Sequence, residues 1–525
     1  MPRSSLLSLV LAPAASLFLA LPSLAQEKTG AAPPSIKILD GKFDDWTKTP
    51  RESSITDPVG DAGDDPTVGS DLKQLVLEAD GKRLHLLLAL SKAATIQGLE
   101  KPLVIYLDAD GDESTGAKPD ADGNRLPGAD VAIVFSPRIK GSQGGDRRAP
   151  RGDGGEGVAV FAVGQDGELG DRRAADAIGL GMAPTSASDR YELRIDRRED
   201  FLAGGKVRAM VMTLKGDEVA DRTKPVACEL PAFDPRPFAP AEAAAVARPV
   251  RTDARIVTWN AERGALFTDE KAEAFGSTLA AIAPDVILLQ ELGAKATSQS
   301  LSEWLDRHVP RESKWNAIVS GGDLRTAVAS TFPLESASFL DGVSRETEKG
   351  KRPVRVAAAT IDVKGKKLLA LSVHLKCCGN LDSDEDRTRM DEARTIAANI
   401  AKSLERSKAD GVVIGGDLNL VGSQKVLEAL GEKADVDRTD LAIAEIRQLD
   451  GVSNQTWRSS GNAFAPGRLD YLLVSDRGLE RRGAFVFSEE DLSRIARTTL
   501  KLPESAFDEA SDHQPVVVDV AFVKR

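Results

Sequence analysis

Six short polar clusters, each on a strand-like run, occur in order between residues 255 and 519. They are Thr258-Trp259-Asn260, Leu289-Gln290-Glu291, Ser372-Val373-His374-Leu375, Gly415-Gly416-Asp417-Leu418-Asn419, Arg468-Leu469-Asp470-Tyr471 and Ser511-Asp512-His513-Gln514-Pro515. Carboxylates, carboxamides and imidazoles are the groups that hold a hard cation and move protons. Glu291 ends the apolar run Val286–Gln290, so its carboxylate projects from a strand tip. A hard oxygen ligand there suits Mg²⁺ or Mn²⁺. Asp417 and Asn419 have the i, i+2 spacing that points two side chains to one side, after glycines that let a strand end approach a ligand closely. An Asx turn after a buried strand is the plainer reading of the same residues. The chain has four histidines, and two of them, His374 and His513, fall in the clusters. A neutral imidazole takes a proton from water, and an imidazolium donates one. His513 is expected to line an open, polar cleft. His85 and His308 lack such a context and read as structural.

Such groups need rigid elements to aim them. From residue 251 the chain alternates strands with longer helical segments: Ala272–Ile282 is helical before the strand Val286–Gln290, and Arg387–Ser407 is amphipathic before Val412–Ile414. That alternation argues a layered α/β domain. Residues 36–233 differ, with short apolar runs such as Leu84–Leu88 and Leu103–Leu107 separated by Asp/Gly turns, the texture of an all-β sandwich. A Pro/Ala stretch, residues 234–250, reads as a semi-rigid linker, and residues 140–157 read as a mobile loop.

Together and in this order, the six clusters resemble the endonuclease/exonuclease/phosphatase superfamily, the fold of pancreatic-type deoxyribonucleases, abasic-site endonucleases, inositol polyphosphate phosphatases and neutral sphingomyelinases. The resemblance implies an α/β four-layered sandwich for residues 251–525, two central β-sheets flanked by helices. It implies Glu291 as the main metal ligand, with Asn260 completing the site and Asp512 adding a carboxylate. Asp417 would orient the attacking water or handle the leaving-group proton, and Asn419 would bind a phosphoryl oxygen. Asp470 would fix the tautomer of His513, and His374 would contact the phosphate or assist the leaving group. Abasic-site endonucleases typically carry tyrosine at the position of His374, which tilts the resemblance away from that branch. Glu262 is either a further metal contact or a solvated turn residue. The opening Leu39-Asp40-Gly41-Lys42-Phe43-Asp44-Asp45-Trp46 is loosely similar to the start of bacterial carbohydrate-binding-like sandwich domains.

The chain of 525 residues is 41% hydrophobic, enough for two or three domains. Its formal charge of −12 speaks against a tightly bound nuclease, which needs a basic face. Lys349, Lys351, Arg352 and Arg355 are a local basic stretch, either for a polyanion or a solvated loop. Arg3, the apolar Leu6–Leu21 and the small-residue site Ser23-Leu24-Ala25 read as an export signal over residues 1–25, giving a periplasmic or secreted protein with no transmembrane segment. Of three cysteines, the adjacent Cys377-Cys378 are either a vicinal disulfide shaping a loop at the site's rim or two thiols in a tight loop. In the N-terminal part, Asp108, Asp110 and Asp112, then Asp120, Asp122 and Asn124, have a spacing that wraps Ca²⁺, but they miss the EF-hand glycine and glutamate, and a solvated acidic loop is the alternative to a structural Ca²⁺. The expected activity is that of an exported, divalent-metal-dependent phosphoesterase of nuclease or phosphodiesterase type, hydrolysing phosphodiester or phosphomonoester bonds of nucleic acid, phospholipid or a small molecule. The alternative is a surface-binding protein that grips glycan through the sandwich beside an inactive phosphoesterase-like domain.

Overall fold

The computed structural model describes residues 37–47, 49–62, 71–137, 155–215, 218–236, 239–503 and 510–523. The expected export signal and most of the expected 140–157 loop lie outside the described residues. The central strands of the N-terminal part are apolar on both faces: Ile105 and Leu107 enter one core, and Val104, Val134 and Met212 another. The first sheet of this part runs, in spatial order, Ser54–Thr56, Leu72–Ala79, Arg83–Ala94, Ser188–Asp196, Gly181–Ala183. The second runs Glu218–Arg222, Gly205–Lys215, Leu103–Asp108, Val131–Phe135, Val158–Ala162, with Val226–Leu230 also on Gly205–Lys215. All pairings are antiparallel, and Leu86, Leu88, Ile105, Ile133 and Val211 meet in one core. The opening Phe43–Trp46 segment caps the outer face: Trp46 packs on Val76 and Leu87, and its Nε1 donates to Glu192 at 3.0 Å.

Residues 254–522 form two six-stranded sheets. One is ordered Asn316–Val319, Ala327–Ser330, Val286–Gln290, Ala254–Asn260, Val516–Phe522, Leu479–Val486. The other is ordered Leu334–Ser336, Val356–Val363, Lys366–His374, Gly411–Asp417, Asp470–Val474, Ala442–Ile443. Ile256, Leu288 and Val518 of the first share a core with Ala370, Val413 and Leu472 of the second. Helices α1 (Asp269–Ile282) and α2 (Ser298–His308) bury Phe275, Leu279, Leu301 and Leu305 with Trp259, Ile287 and Leu289. Helix α3 (Asp384–Ser407) buries Ile396 and Ile400 with Leu369, Leu371 and Ile414. It starts three residues before the periodicity predicts, because Ser383 accepts from the Asp386 amide at 3.1 Å and three acidic residues face the positive end of the helix dipole. Among the described residues no helix is long and apolar enough to cross a membrane.

Ile36–Arg525 fold as one compact unit, and hydrogen bonds stitch its two parts together. The segment 451–468, which has no periodic pattern, runs along the sandwich. The amide of Leu39 donates to Val452 O at 2.9 Å, Val158 N to Ala463 O at 2.7 Å, Ala465 N to Gln97 Oε1 at 2.8 Å and Arg468 N to Thr185 Oγ1 at 2.6 Å. Ala465 itself lies in the sandwich core. The stretch 234–250 is likewise anchored: Val246 is buried among α1 and α2 residues, Ala241 N donates to Asp491 O at 2.6 Å, and Arg248 pairs with Asp285 at 2.7 Å. The two acidic loops of the sandwich meet arginines. Arg208 Nε is 2.9 Å from Asp108 Oδ2, whose neighbours include Asp110 and Asp130, and Arg222 Nη1 is 2.6 Å from Asn124 Oδ1.

Candidate active site

Strand register places the polar clusters side by side. Ala254–Asn260 and Val286–Gln290 are parallel, with Asn260 opposite Gln290, so Asn260 and Glu291 leave the first sheet at the same edge. In the second sheet His374 lies opposite Asp417, and Asp417 opposite Asp470. His513 precedes the strand Val516–Phe522, and Trp259 Nε1 donates to its carbonyl at 2.8 Å. The glycines of the Asp417 cluster serve packing, correcting the expectation that they admit a ligand. A Cβ on Gly416 would stand 1.8 Å from Val373 O, and one on Gly415 2.7 Å from Leu288 Cδ1 across the sheet interface.

Asn260 Nδ2 donates to Asp417 Oδ2 at 3.0 Å and to Glu291 Oε1 at 3.3 Å, while its Oδ1 accepts from Glu262 N at 3.0 Å. Arg263 N donates to Glu291 Oε2 at 3.1 Å. His374 Nε2 lies 3.5 Å from Glu291 Oε1 and 3.7 Å from Asp417 Oδ2. His513 Nδ1 is 2.8 Å from Asp470 Oδ2, and its Nε2 is 3.8 Å from Asp417 Oδ2 and 4.0 Å from Asp512 Oδ1. A carboxylate only accepts, so Nδ1 carries the proton and Nε2 is left for a ligand. Asn419 donates its backbone N–H to Asp417 Oδ1 at 2.9 Å and its Nδ2 to Leu375 O at 3.3 Å. Asp512 is held by Trp457 Nε1 at 2.9 Å. Glu262 pairs with Lys271 at 2.9 Å.

Burial sets the electrostatics. It drives the His374 imidazole well below its ordinary range, helped by the Arg355 and His513 charges, so His374 stays neutral. Burial also acts downward on His513, but Asp470, Asp417 and Asp512 outweigh it and raise its pKa. Asp417 is pushed up by burial and by Asp470 and Glu291, against the pull of His513. The expectation of an open cleft around His513 is corrected: its side chain is only 8% exposed. Arg355 of the basic stretch turns inward and donates to Leu375 O at 3.0 Å, while Lys351 pairs with Glu346.

Glu291, His374 and Asp417 each offer an atom within 4.8 Å of the others. Asn260 Nδ2 reaches both carboxylates, so Glu291 and Asp417 bring together two hard oxygen donors, the type that Mg²⁺ takes. Four carboxylates around two histidines also need positive charge. Of the expected ligands, Glu291 and Asn260 are brought together with Asp417, and Asp512 stands beside His513. Sequence reasoning missed the supporting residues. Thr456 Oγ1 donates to Asp470 Oδ2 at 2.7 Å while accepting two backbone amides. Gln290 Nε2 bridges Thr258 Oγ1 at 3.1 Å and Ser372 Oγ at 2.9 Å between the sheets. The last three lie inside the clusters and were findable there; Thr456 carries no signal. Cys377 and Cys378 are joined by a disulfide beside Leu375, and Arg389 Nη1 holds the loop through Lys376 O at 3.0 Å and Cys378 O at 2.6 Å.

No curated protein matches the chain. Solved structures similar to it include the human Nocturnin catalytic domain with bound sulfate, at 19% identity, covering 51% of this chain and 94% of that one with a TM-score of 0.35. Truncated Caenorhabditis elegans TDP2 is 18% identical, covering 51% of this chain and 98% of that one at a TM-score of 0.35. The Neisseria 3′ phosphatase NExo (D146N) bound to product DNA hairpin is 18% identical, covering 52% and 100% at 0.33. The sequence profile of the Endonuclease/Exonuclease/phosphatase family matches residues 257–513, a span that begins before Asn260 and ends on His513, and this part of the chain belongs to that family.

Proposed function

We propose that the chain is an exported, divalent-metal-dependent phosphoesterase that hydrolyses phosphodiester bonds, with a four-layered α/β sandwich as its catalytic part. The observation that carries the reading is the convergence of Glu291, His374, Asp417 and His513, with Asp470 bonded behind His513. Glu291, with Asp417 and Asn260 beside it, would hold a Mg²⁺ or Mn²⁺, which when bound neutralises charge on the phosphoryl oxygens. Asp470 holds the His513 ring so that Nε2 faces the reacting group, and the three carboxylates favour the imidazolium, a donor to a phosphoryl oxygen. Asp417 accepts the proton of the attacking water. His374, kept neutral, offers Nε2 to the phosphate, and Asn419 stands behind Asp417 to steady it. Export is supported by the signal-like residues 1–25 and by the Cys377–Cys378 disulfide, a bond favoured in oxidising compartments.

The test is turnover by the purified chain on plasmid DNA, RNA, sphingomyelin, inositol phosphates and a chromogenic diester, each with Mg²⁺, Mn²⁺ or chelator. Hydrolysis that chelator abolishes and His513→Gln lowers by roughly 10²-fold or more supports the reading. No hydrolysis of any member with either metal sinks it.

A further inference from the structure

One hydroxyl of the sandwich ties two loops that leave the reacting centre. Thr95 is buried between the strand Arg83–Ala94 and the short helical turn Ile96–Gly98. Its Oγ1 donates to Val421 O at 2.9 Å and accepts from Leu381 N at 3.3 Å. Val421 follows the strand that ends on Asp417, and Leu381 follows the strand that ends on His374. Those strands are parallel neighbours with His374 opposite Asp417, so the two loops depart side by side. Further bonds across the seam hold the same loops: Asn380 Nδ2 donates to Gly98 O at 2.7 Å, Ala187 N to Gly422 O at 2.9 Å and Gln424 Nε2 to Ser186 Oγ at 2.9 Å. On the catalytic side Asp386 joins them, accepting from Ser423 N at 2.9 Å and from Asp382 N at 3.2 Å.

An unbroken line of hydrogen bonds runs from Thr95 to the site. Thr95 Oγ1 donates to Val421 O, Val421 N donates to Asn419 O at 2.8 Å, and Asn419 N donates to Asp417 Oδ1 at 2.9 Å. Asn419 is left-handed, with φ of +48°, a conformation that persists only where the surroundings hold it. Its carboxamide bonds to Leu375 O, at the root of the other loop. A carbonyl at a packed seam is costly to leave without a donor. Without the Thr95 hydroxyl the turn 419–421 must move to find one, and Asp417 Oδ1 then loses its fixed amide. The other carboxylate oxygen, Oδ2, lies 3.7 Å from His374 Nε2 and 3.8 Å from His513 Nε2, so both rings sense any turn of Asp417.

We infer that Thr95 is a positioning residue of the active site, and that the sandwich completes the catalytic part by bracing the Asn419 turn and the Cys377–Cys378 loop. The effect on turnover rests on the phosphodiesterase reading; the placement of Asp417 does not. Two variants separate the hydroxyl from the bulk: Thr95→Val keeps the shape and removes both bonds, while Thr95→Ser keeps the hydroxyl. The first measurement is NMR of the full chain with labelled histidine, of which there are four. The His374 and His513 ring resonances should shift in Thr95→Val and return in Thr95→Ser, with His308 unmoved in both. Unmoved His374 and His513 rings in Thr95→Val, or equal shifts in Thr95→Ser, overturn the inference whether or not the chain hydrolyses anything. The second measurement is kcat and KM on a diester the parent cleaves. Thr95→Val should lose about tenfold in kcat, the scale of one or two neutral hydrogen bonds, with KM little changed, and Thr95→Ser should recover it. An unchanged kcat in Thr95→Val, or the same loss in Thr95→Ser, also overturns it. If the parent cleaves no diester, the phosphodiesterase reading fails and the ring resonances alone decide. Should Thr95→Val fail to fold, Gln424→Ala, at an exposed position, cuts the neighbouring tie to Ser186 in its place. The same two ring resonances should then shift, and their staying put overturns the inference.

Discussion

Asp470→Asn separates the charge behind His513 from the shape that holds it. Asp470 is fully buried, and one of its oxygens, Oδ2, serves two donors, His513 Nδ1 at 2.8 Å and Thr456 Oγ1 at 2.7 Å. An asparagine carbonyl can occupy the same position and keep both donors, so packing survives and charge is lost. A hydrogen bond to a charged group contributes about 1.5–3 kcal/mol and a neutral one about 0.5–1.5 kcal/mol, so the imidazolium loses on the order of 1–1.5 kcal/mol. At 1.36 kcal/mol per unit, that is about one pK unit. Asp470 is the largest of the charges raising His513, so the sign is fixed: the alkaline limb of activity, where the imidazolium deprotonates, moves to lower pH by about one unit. An asparagine that instead turns its NH₂ toward Nδ1 drives the ring into the other tautomer. The first route lowers kcat by at most about tenfold and the second by roughly 10²-fold or more, both with little change in KM. The assay is kcat against pH on a diester the parent cleaves, with thermal melting to show the fold intact. A variant within twofold of the parent and with the same alkaline limb would show that Asp470 does not position His513. His513→Ala is a poorer probe, because removing a buried ring also leaves a cavity.

Glu291→Gln should raise the Mg²⁺ concentration for half-maximal activity by about tenfold or more, since a neutral amide is a weak ligand for a hard cation; an unchanged metal titration contradicts that role. Gly157→Val should destabilise the chain by about 3 kcal/mol, because φ is +97° and a Cβ would stand 2.2 Å from Ala463 O in the seam; an unchanged urea midpoint would mean the seam yields freely. Burial pushes the Glu192 carboxyl up to about 8, against an ordinary 4.5. The native state therefore holds a proton that the unfolded chain releases, a contribution to stability complete below pH 4.5 and lost as pH rises through about 8. Melting temperature should fall from pH 5 to 8 in the parent and less so in Glu192→Gln; parallel curves would refute it.

The strand-tip clusters were legible because each is the polar end of a regular apolar run, and family order then assembled them. Register did the rest: once His374, Asp417 and Asp470 sit on neighbouring strands, their convergence follows. The seam was not legible. Residues 451–468 show no period, because their backbone amides and carbonyls, with single side chains such as Asn454 and Ser460, find partners hundreds of positions away in the sandwich. For the same reason the Pro/Ala stretch looked like a spacer while Val246 and Arg248 in fact anchor it.

Left-handed backbone at the centre also shapes the site. Glu262, Arg263, Glu291 and Asn419 are all non-glycine residues with φ between +43° and +57°. Such a conformation costs about 1–3 kcal/mol and persists only where the surroundings enforce it. Here the consequence is visible atom by atom. The left-handed pair Glu262-Arg263 presents two successive amides to the site, one to Asn260 Oδ1 at 3.0 Å and the next to Glu291 Oε2 at 3.1 Å. The turn thus orients the carboxamide and the carboxylate together. Asn419, left-handed as well, folds its own amide back onto Asp417 Oδ1. Left-handed residues in three separate loops thus place hydrogen bonds on Asn260, Glu291 and Asp417, the fixed dipoles a preorganised site requires.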